Sequence, residues 1–488
     1  QQVATQYPEF VDYVYRYLVA KYGPNAVLRG GMDVTVTLDP NLQNMAKASV
    51  TDALNGTNPE LQMSLVSIEP QTGYVKALVG GREFGNGKYS SVNFALGGCV
   101  PKPTNPAIKI EVSATCWDGG SLDGGGGDRQ PGSAFKPFTL ATAFSKGFTP
   151  AKAYPAPDTY APPGCKKPDC LIHNAADGEG GGSMDLRVAT TKSVNTVFAQ
   201  LIRDVGVKET ADMAKRLGVT SAWESPQVHG LSYTLGALGV APLDMASAYG
   251  VFANRGVRAN PQPVLLVKDS SGKVLEDNSH PQTNRVLEEN VADTLNDVLR
   301  GPVGPGGTAY PRADIGRPAA GKTGTTDNYV DAWFVGYTPT LSTSVWMGYA
   351  ANETTSMRNV KGVRDVFGGT IPAQTWHNFM LPALKDVPVT DFTQPAPIKP
   401  LVVDVNKQAR QGIDPGDRSV ARDTPPGGAY VVAPPAPSAV APTTTTTAPP
   451  DSGGFGNGSG DGSGGNGGGS DQTTTTSSPR TTLVPPRP

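Results

Sequence analysis

Apolar residues recur at helical spacing over residues 7–22, where Phe10, Val11, Val14, Tyr15, Leu18 and Val19 form one stripe. This predicts an amphipathic helix. Over residues 32–38 the period drops to two, with Val34, Val36 and Leu38 alternating with polar positions, a strand pattern. Asp39-Pro40 reads as an N-cap followed by proline in the first turn, opening a helix that runs to about Leu54 and stops at Gly56. Strand character returns over residues 64–68 and, after the turn Pro70-Gln71-Thr72-Gly73, over residues 74–79, which predicts a hairpin. Residues 133–249 read as mostly helical. A second strand cluster covers residues 321–326, 332–337 and 343–349, with turns at Asp327-Asn328 and Pro339-Thr340. Strands at both ends with helices between predict an α+β domain. Its sheet is antiparallel, because the connections are too short for parallel crossovers.

After about Asp386 the hydrophobic period fades, and from Ala433 the chain is rich in Pro, Thr, Gly and Ser. Such a composition buries too little apolar area to offset ordering, so residues 433–488 are expected to be a disordered tether. The predicted organisation is a linker module over 1–60, a catalytic body over 61–385, an extended linker over 386–432, and the tail. Among 488 residues, 41 Lys+Arg oppose 43 Asp+Glu for a net charge of -2, which gives no electrostatic case for a nucleic-acid partner.

The four cysteines form two local pairs, Cys99 with Cys116 and Cys165 with Cys170. Zinc is the competing reading, but neither pair has C-x-x-C spacing and the chain has four histidines. Two loop-closing disulfides are therefore expected, and no metal; disulfides place the protein outside the reducing cytosol. No apolar run approaches the ~20 residues needed to span a bilayer, and no signal peptide opens at Gln1. An exported protein of this kind is expected to derive from a longer precursor.

Three segments carry chemistry. Ser133-Ala134-Phe135-Lys136 follows Pro131-Gly132, which starts a helix with Ser133 in its first turn. Residues three apart share a helix face, so Lys136 can approach the Ser133 hydroxyl as its base. Bringing a lysine from about 10.4 to near 7 takes about three pKa units, or ~4 kcal/mol. Burial against Phe135 and Phe138 and a second cation, Lys322, both act in that direction. Ser193-Val194-Asn195 offers a hydroxyl for a proton relay and an amide for a substrate backbone; the same pattern also suits an ordinary helix cap. Lys322-Thr323-Gly324-Thr325-Thr326 reads as an edge strand with Lys322 and the threonine hydroxyls on one side, able to hold a carboxylate. Gly324 lets the strand pass close to substrate, and the Thr325 N–H can join the Ser133 N–H as an oxyanion hole. A lysine that guards an exposed strand edge is the plainer alternative. Ser270-Ser271-Gly272-Lys273 and Ser91-Val92-Asn93 repeat two of the patterns in turn-like surroundings.

With these motifs in order, joined by Gly368-Gly369-Thr370-Ile371-Pro372-Ala373, Trp376 and Phe379, the chain resembles the transpeptidase domain of class A (bifunctional) penicillin-binding proteins. Residues 7–22 followed by Gly30-Gly31 resemble the linker after that family's glycosyltransferase domain, and the tail and cysteine loops resemble actinobacterial members. The resemblance implies an antiparallel sheet with helices on both faces and a helical subdomain. It implies D,D-transpeptidation of peptidoglycan stem peptides and acylation by β-lactams, with Ser133 as nucleophile and Lys136 as base. By position, Ser193 and Asn195 shuttle protons, and Lys322, Thr323, Gly324 and Thr325 bind the carboxylate and carbonyl. No cofactor is implied. A membrane anchor on the outer face of the plasma membrane is expected in the full-length protein, and other cell-wall enzymes are possible partners. D,D-carboxypeptidases and serine β-lactamases share the motifs, but no Glu-x-x-x-Asn segment lies between Ser193 and Lys322. A non-catalytic β-lactam sensor or scaffold is the alternative of another class.

Overall fold

Five antiparallel strands build the central sheet, in the order Ala320–Thr325, Asp331–Tyr337, Ser342–Tyr349, Leu61–Ile68, Val75–Val79. They come from a computed structural model that describes residues 6–82, 84, 92–96, 99–100, 121–122, 129–166, 170–175, 179–220, 229–350 and 354–398. The two strand groups foreseen at opposite ends of the chain thus meet inside one sheet, through Ser342–Tyr349 paired with Leu61–Ile68. Alternate side chains go to opposite faces. Trp333, Val335, Tyr337 and Trp346 join one core with the helices Lys136–Ser145, Asn195–Val205, Pro242–Ala253 and Glu289–Leu299. Ala332, Phe334, Val345 and Met347 join a second core with Pro40–Leu54 and Ile371–Ala383. Both faces are therefore covered. This explains why these strands read as near-continuous apolar runs rather than clean alternation.

The first helix spans Pro8–Tyr22 and the next long one Pro40–Leu54, where the Asp39 carboxylate accepts from the Asn41 and Leu42 N–H groups at 2.9 and 3.2 Å. Between them Asp33–Val36 pairs with Val264–Lys268, which in turn pairs with Val274–Asp277. Phe10, Val14 and Leu18 pack with Val66, Ile68, Val75 and Leu78 in a third cluster. Residues 1–60 therefore contribute core to the sheet as well as linking into it. Asn93 is buried and ties that helix down, its Nδ2 donating to Glu9 O at 3.0 Å and Asp12 Oδ2 at 3.1 Å.

Residues 386–398 run without regular structure, yet Phe392 is buried against Tyr337 with ring centroids 5.7 Å apart. Ala396 N–H donates to Asn290 Oδ1 at 2.7 Å, and Arg300 pairs with Asp391 at 2.9 Å. Cys165 and Cys170 are joined by a disulfide with Cα atoms 5.7 Å apart. The expected Cys99–Cys116 pairing and the expected tail fall outside what the structure describes.

Candidate active site

Pro131-Gly132 does not open a regular α-helix as foreseen. Gly132–Phe135 is a 3-10 turn, and the α-helix begins at Lys136. Pro137 has no N–H, so the α-helical ladder can form only beyond it, and the turn before tightens. In a 3-10 turn positions three apart eclipse, which keeps Ser133 and Lys136 on one side. Around them the backbone is clamped: Trp333 Nε1 donates to Gln130 O at 2.8 Å, and Tyr249 OH to Ala134 O at 2.5 Å.

The turn packs against the face of the Lys322 strand. A Cβ on Gly132, whose φ is +55°, would meet Thr325 N at 2.7 Å, and one on Gly324 would meet Pro131 O at 2.0 Å. The space beside Gly324 is thus filled by the turn that carries Ser133, a packing reason for the missing side chain that the sequence reading did not include. Gly324→Ala is expected to cost about 1–3 kcal/mol of stability and to slow acylation at Ser133 by displacing it. Urea unfolding and penicillin acylation rates measure the two effects.

Lys136 and Lys322 are both fully buried. Lys136 Nζ donates to Ser193 O at 2.6 Å, Asn195 Oδ1 at 2.7 Å and Ser193 Oγ at 3.2 Å. Lys322 Nζ donates to the same Ser193 Oγ at 2.8 Å and to Thr323 O at 3.0 Å. One hydroxyl therefore bridges two buried amines. Burial, then the charge of Lys322, holds Lys136 well below an ordinary lysine, with Glu179 opposing. Burial lowers Lys322 to about 7, again with Glu179 opposing.

The ring under the Lys136 ammonium is Phe198, 5.1 Å from its centroid. Phe135 and Phe138, expected to bury that lysine, meet each other at a tilt and meet Tyr233 and Tyr249 edge to face. No hydrogen bond among the described residues joins Ser133 Oγ to Lys136; the lysine's protons point at Ser193 and Asn195. Ser133 itself stands half-buried.

Ser193 closes the helix Leu186–Lys192 with φ 63°, a left-handed conformation that a serine holds at some cost and that aims its hydroxyl between the lysines. The cap and the catalytic reading of this motif describe the same residue. Asn195 begins the next helix, Asn195–Val205, and its Nδ2 donates to His173 O at 2.9 Å, fixing which end faces Lys136.

Strand alternation sends Lys322 to one face and Thr323 and Thr325 to the other, which corrects the expected common side. Thr325 Oγ1 accepts from Gly368 N–H at 3.2 Å, and Thr323 Oγ1 lies 2.8 Å from Thr308 Oγ1. The Lys322 ammonium folds back to within 3.4 Å of Thr323 Oγ1. Thr326 N–H bonds Asp331 O at 3.1 Å, so the even-numbered residues of the strand bond inward. The backbone groups of Thr323 and Thr325 therefore face the free edge.

Glu179, Phe198 and Thr308 escaped the sequence reading. Glu179 sits in a glycine-rich loop where no spacing marks it; Phe198, three residues beyond Asn195 on one helix, could have been found from helical periodicity. The two decoys separate cleanly: Ser270-x-x-Lys273 lies in the exposed turn of the hairpin Val264–Lys268/Val274–Asp277, and Asn93 is structural.

Residues 63–371 match the penicillin-binding protein transpeptidase domain. The chain is 32% identical over 348 residues to penicillin-binding protein 1A of Aquifex aeolicus, covering 71% of this chain and 41% of that one. It is 30% identical over 391 residues to penicillin-binding protein 1A of Mycolicibacterium smegmatis, covering 75% and 43%. It thus spans less than half the length of these relatives. The structure of PonA1 from Mycobacterium tuberculosis in complex with penicillin V superposes with a TM-score of 0.65 at 27% identity, covering 80% of this chain and 97% of that one. Fold, ordered motifs and the family match agree: this chain belongs to the penicillin-binding protein transpeptidase family, alongside its class A members.

Proposed function

We propose that the chain is a peptidoglycan D,D-transpeptidase working through a serine acyl-enzyme. One observation carries this reading: Ser193 Oγ accepts from both Lys136 and Lys322, two buried amines that do not both hold a full charge at neutral pH. Neutral Lys136 takes the Ser133 proton as Oγ attacks the carbonyl between two terminal D-alanines. The N–H groups of Ser133 and Thr325 hold the oxyanion, and cationic Lys322 with Thr323 holds the terminal carboxylate. On collapse the C–N bond breaks and the departing D-alanine amine takes a proton through Ser193. An amine of a neighbouring stem peptide then attacks the ester, passes its proton back through the same relay, and frees Ser133. β-Lactams acylate the same serine without releasing a fragment.

The site faces peptidoglycan, outside the cytoplasm, with an anchor beyond this chain; other cell-wall enzymes are its natural neighbours. A hydrolytic reading, D,D-carboxypeptidase or β-lactamase, gains from Glu179, a carboxylate near both lysines. Its Oε2, however, accepts from Ala175 N–H at 3.1 Å within its own loop. The test follows intact mass after benzylpenicillin over hours, and the products from a D-alanyl donor with an added amine. A long-lived adduct and an amide product are expected. An adduct clearing within seconds would make it a β-lactamase, and D-alanine release without amide a carboxypeptidase.

A further inference from the structure

The hydroxyls of Thr323 and Thr325 are each met by a group from outside the Lys322 strand. Gly368 N–H donates to Thr325 Oγ1 at 3.2 Å. Thr308 Oγ1 lies 2.8 Å from Thr323 Oγ1, and the Lys322 ammonium reaches that same oxygen at 3.4 Å. A hydroxyl has one proton to give and two lone pairs to fill. At Thr325 the Gly368 N–H fills an acceptor position and leaves the hydroxyl proton for an anion. At Thr323 the ammonium fills one acceptor position, and Thr308 decides the rest. A Thr323 proton given to Thr308 is lost to any carboxylate; a proton received from Thr308 fills the second lone pair and frees the Thr323 proton. Resting on the transpeptidase reading, we propose that Thr308 is a positioning residue of the acyl-transfer site. Its hydroxyl donates to Thr323 and so commits the Thr323 proton to the substrate carboxylate.

The packing around Thr308 holds it to this task. Its segment leaves the helix Glu289–Leu299 through the 3-10 turn Gly301–Val303, where Gly304 N–H donates to Arg300 O at 3.0 Å. Ala309 N–H then turns back to Pro302 O at 2.9 Å. A Cβ on Gly301 would meet Thr191 Oγ1 at 2.1 Å, on the helix Leu186–Lys192 that Ser193 closes. A Cβ on Gly369 would meet Thr308 O at 2.0 Å, so the next residue after the Gly368 donor presses on the Thr308 backbone. The segment is therefore wedged between the Ser193 helix and the loop that serves Thr325. Thr308 is half-buried and Thr323 buried, so water competes weakly for the bond between them. A hydrogen bond to a carboxylate is about twice as strong as one between neutral groups, so aiming that proton acts on an anionic ligand and not on a neutral one.

The experiment follows acylation by benzylpenicillin and by its methyl ester over a range of concentrations. Saturation separates the dissociation constant of the first complex from the acylation rate constant. Thr308→Val keeps the branched shape and removes the hydroxyl. It is expected to weaken the first complex with benzylpenicillin about ten-fold and to leave the acylation rate constant unchanged. The ester has no carboxylate, and its binding should not change. Thr308→Ser keeps the hydroxyl and should restore wild-type binding. Thr308→Ala adds no bulk and repeats the test where the valine variant does not fold. No loss, an equal loss for acid and ester, or a serine variant as weak as the valine one would overturn the proposal. Wild type keeps the two readings apart. A benzylpenicillin adduct there, with acid and ester affected alike in the variants, rejects the role of Thr308 alone; no adduct rejects the transpeptidase reading and this one with it.

Discussion

Ser133→Ala is expected to lose the covalent benzylpenicillin adduct altogether, while Ser270→Ala acquires it at the wild-type rate. Acylation needs an oxygen beside a base and two N–H donors, and a methyl group supplies none of that chemistry. Ser133 stands on a turn whose neighbour three positions on is a buried lysine, hydrogen-bonded at 3.2 Å to Ser193 Oγ. Ser270-Ser271-Gly272-Lys273 has the same letters on an exposed hairpin turn. There Asp269 takes the Ser271 N–H at 2.8 Å and the Lys273 N–H at 3.0 Å, and Lys273 stays in water. The alanine variant removes a single hydroxyl from a half-buried site, so its melting temperature should match wild type. Lost labelling then reports chemistry and not misfolding. An adduct retained on Ser133→Ala would place the nucleophile elsewhere in the chain.

Much of this architecture was legible because it is local. Strand character over 332–337 and 343–349 and the Asp39-Pro40 cap each depend on residues within a few positions, and each appears where expected. What the sequence hid is set by distant partners. No local pattern pairs Asp33–Val36 with Val264–Lys268, or lays Phe392 on Tyr337. The site follows the same rule. Residue types and order pointed to Ser133, Lys136, Ser193, Asn195 and Lys322. That both lysines share Ser193 Oγ, that Phe198 lies under Lys136, and that Gly324 makes room for Pro131 O are facts of packing across elements. The 3-10 turn at Gly132–Phe135 could have been read, since Pro137 forbids a ladder bond at that point.

Lys136→Met is expected to slow penicillin acylation by about 10²–10⁴-fold, the usual reach of a positioned general base. The pH profile separates this from a packing effect. In wild type the acid limb reports deprotonation of Lys136, whose buried amine beside Lys322 titrates well below an ordinary lysine, so acylation rises with pH through it. Lys322, lowered to about 7, sheds its charge on the alkaline side and loosens its hold on the ligand carboxylate. The profile is therefore a bell whose limbs belong to the coupled pair, and Lys136→Met should erase its acid limb. Stability supplies an independent sign. Both lysines bind fewer protons folded than unfolded at pH values between their lowered pKa values and the reference 10.5. Stability linked to them therefore rises with pH, from about 7 for Lys322, and likewise for Lys136 through the range below the ordinary lysine value. Lys136→Met removes one of the two titrations and should flatten that slope when denaturation midpoints are compared across neutral and alkaline pH. A variant that acylates slowly but keeps the bell and the slope would reduce Lys136 to a structural prop and pass the role of base to Lys322.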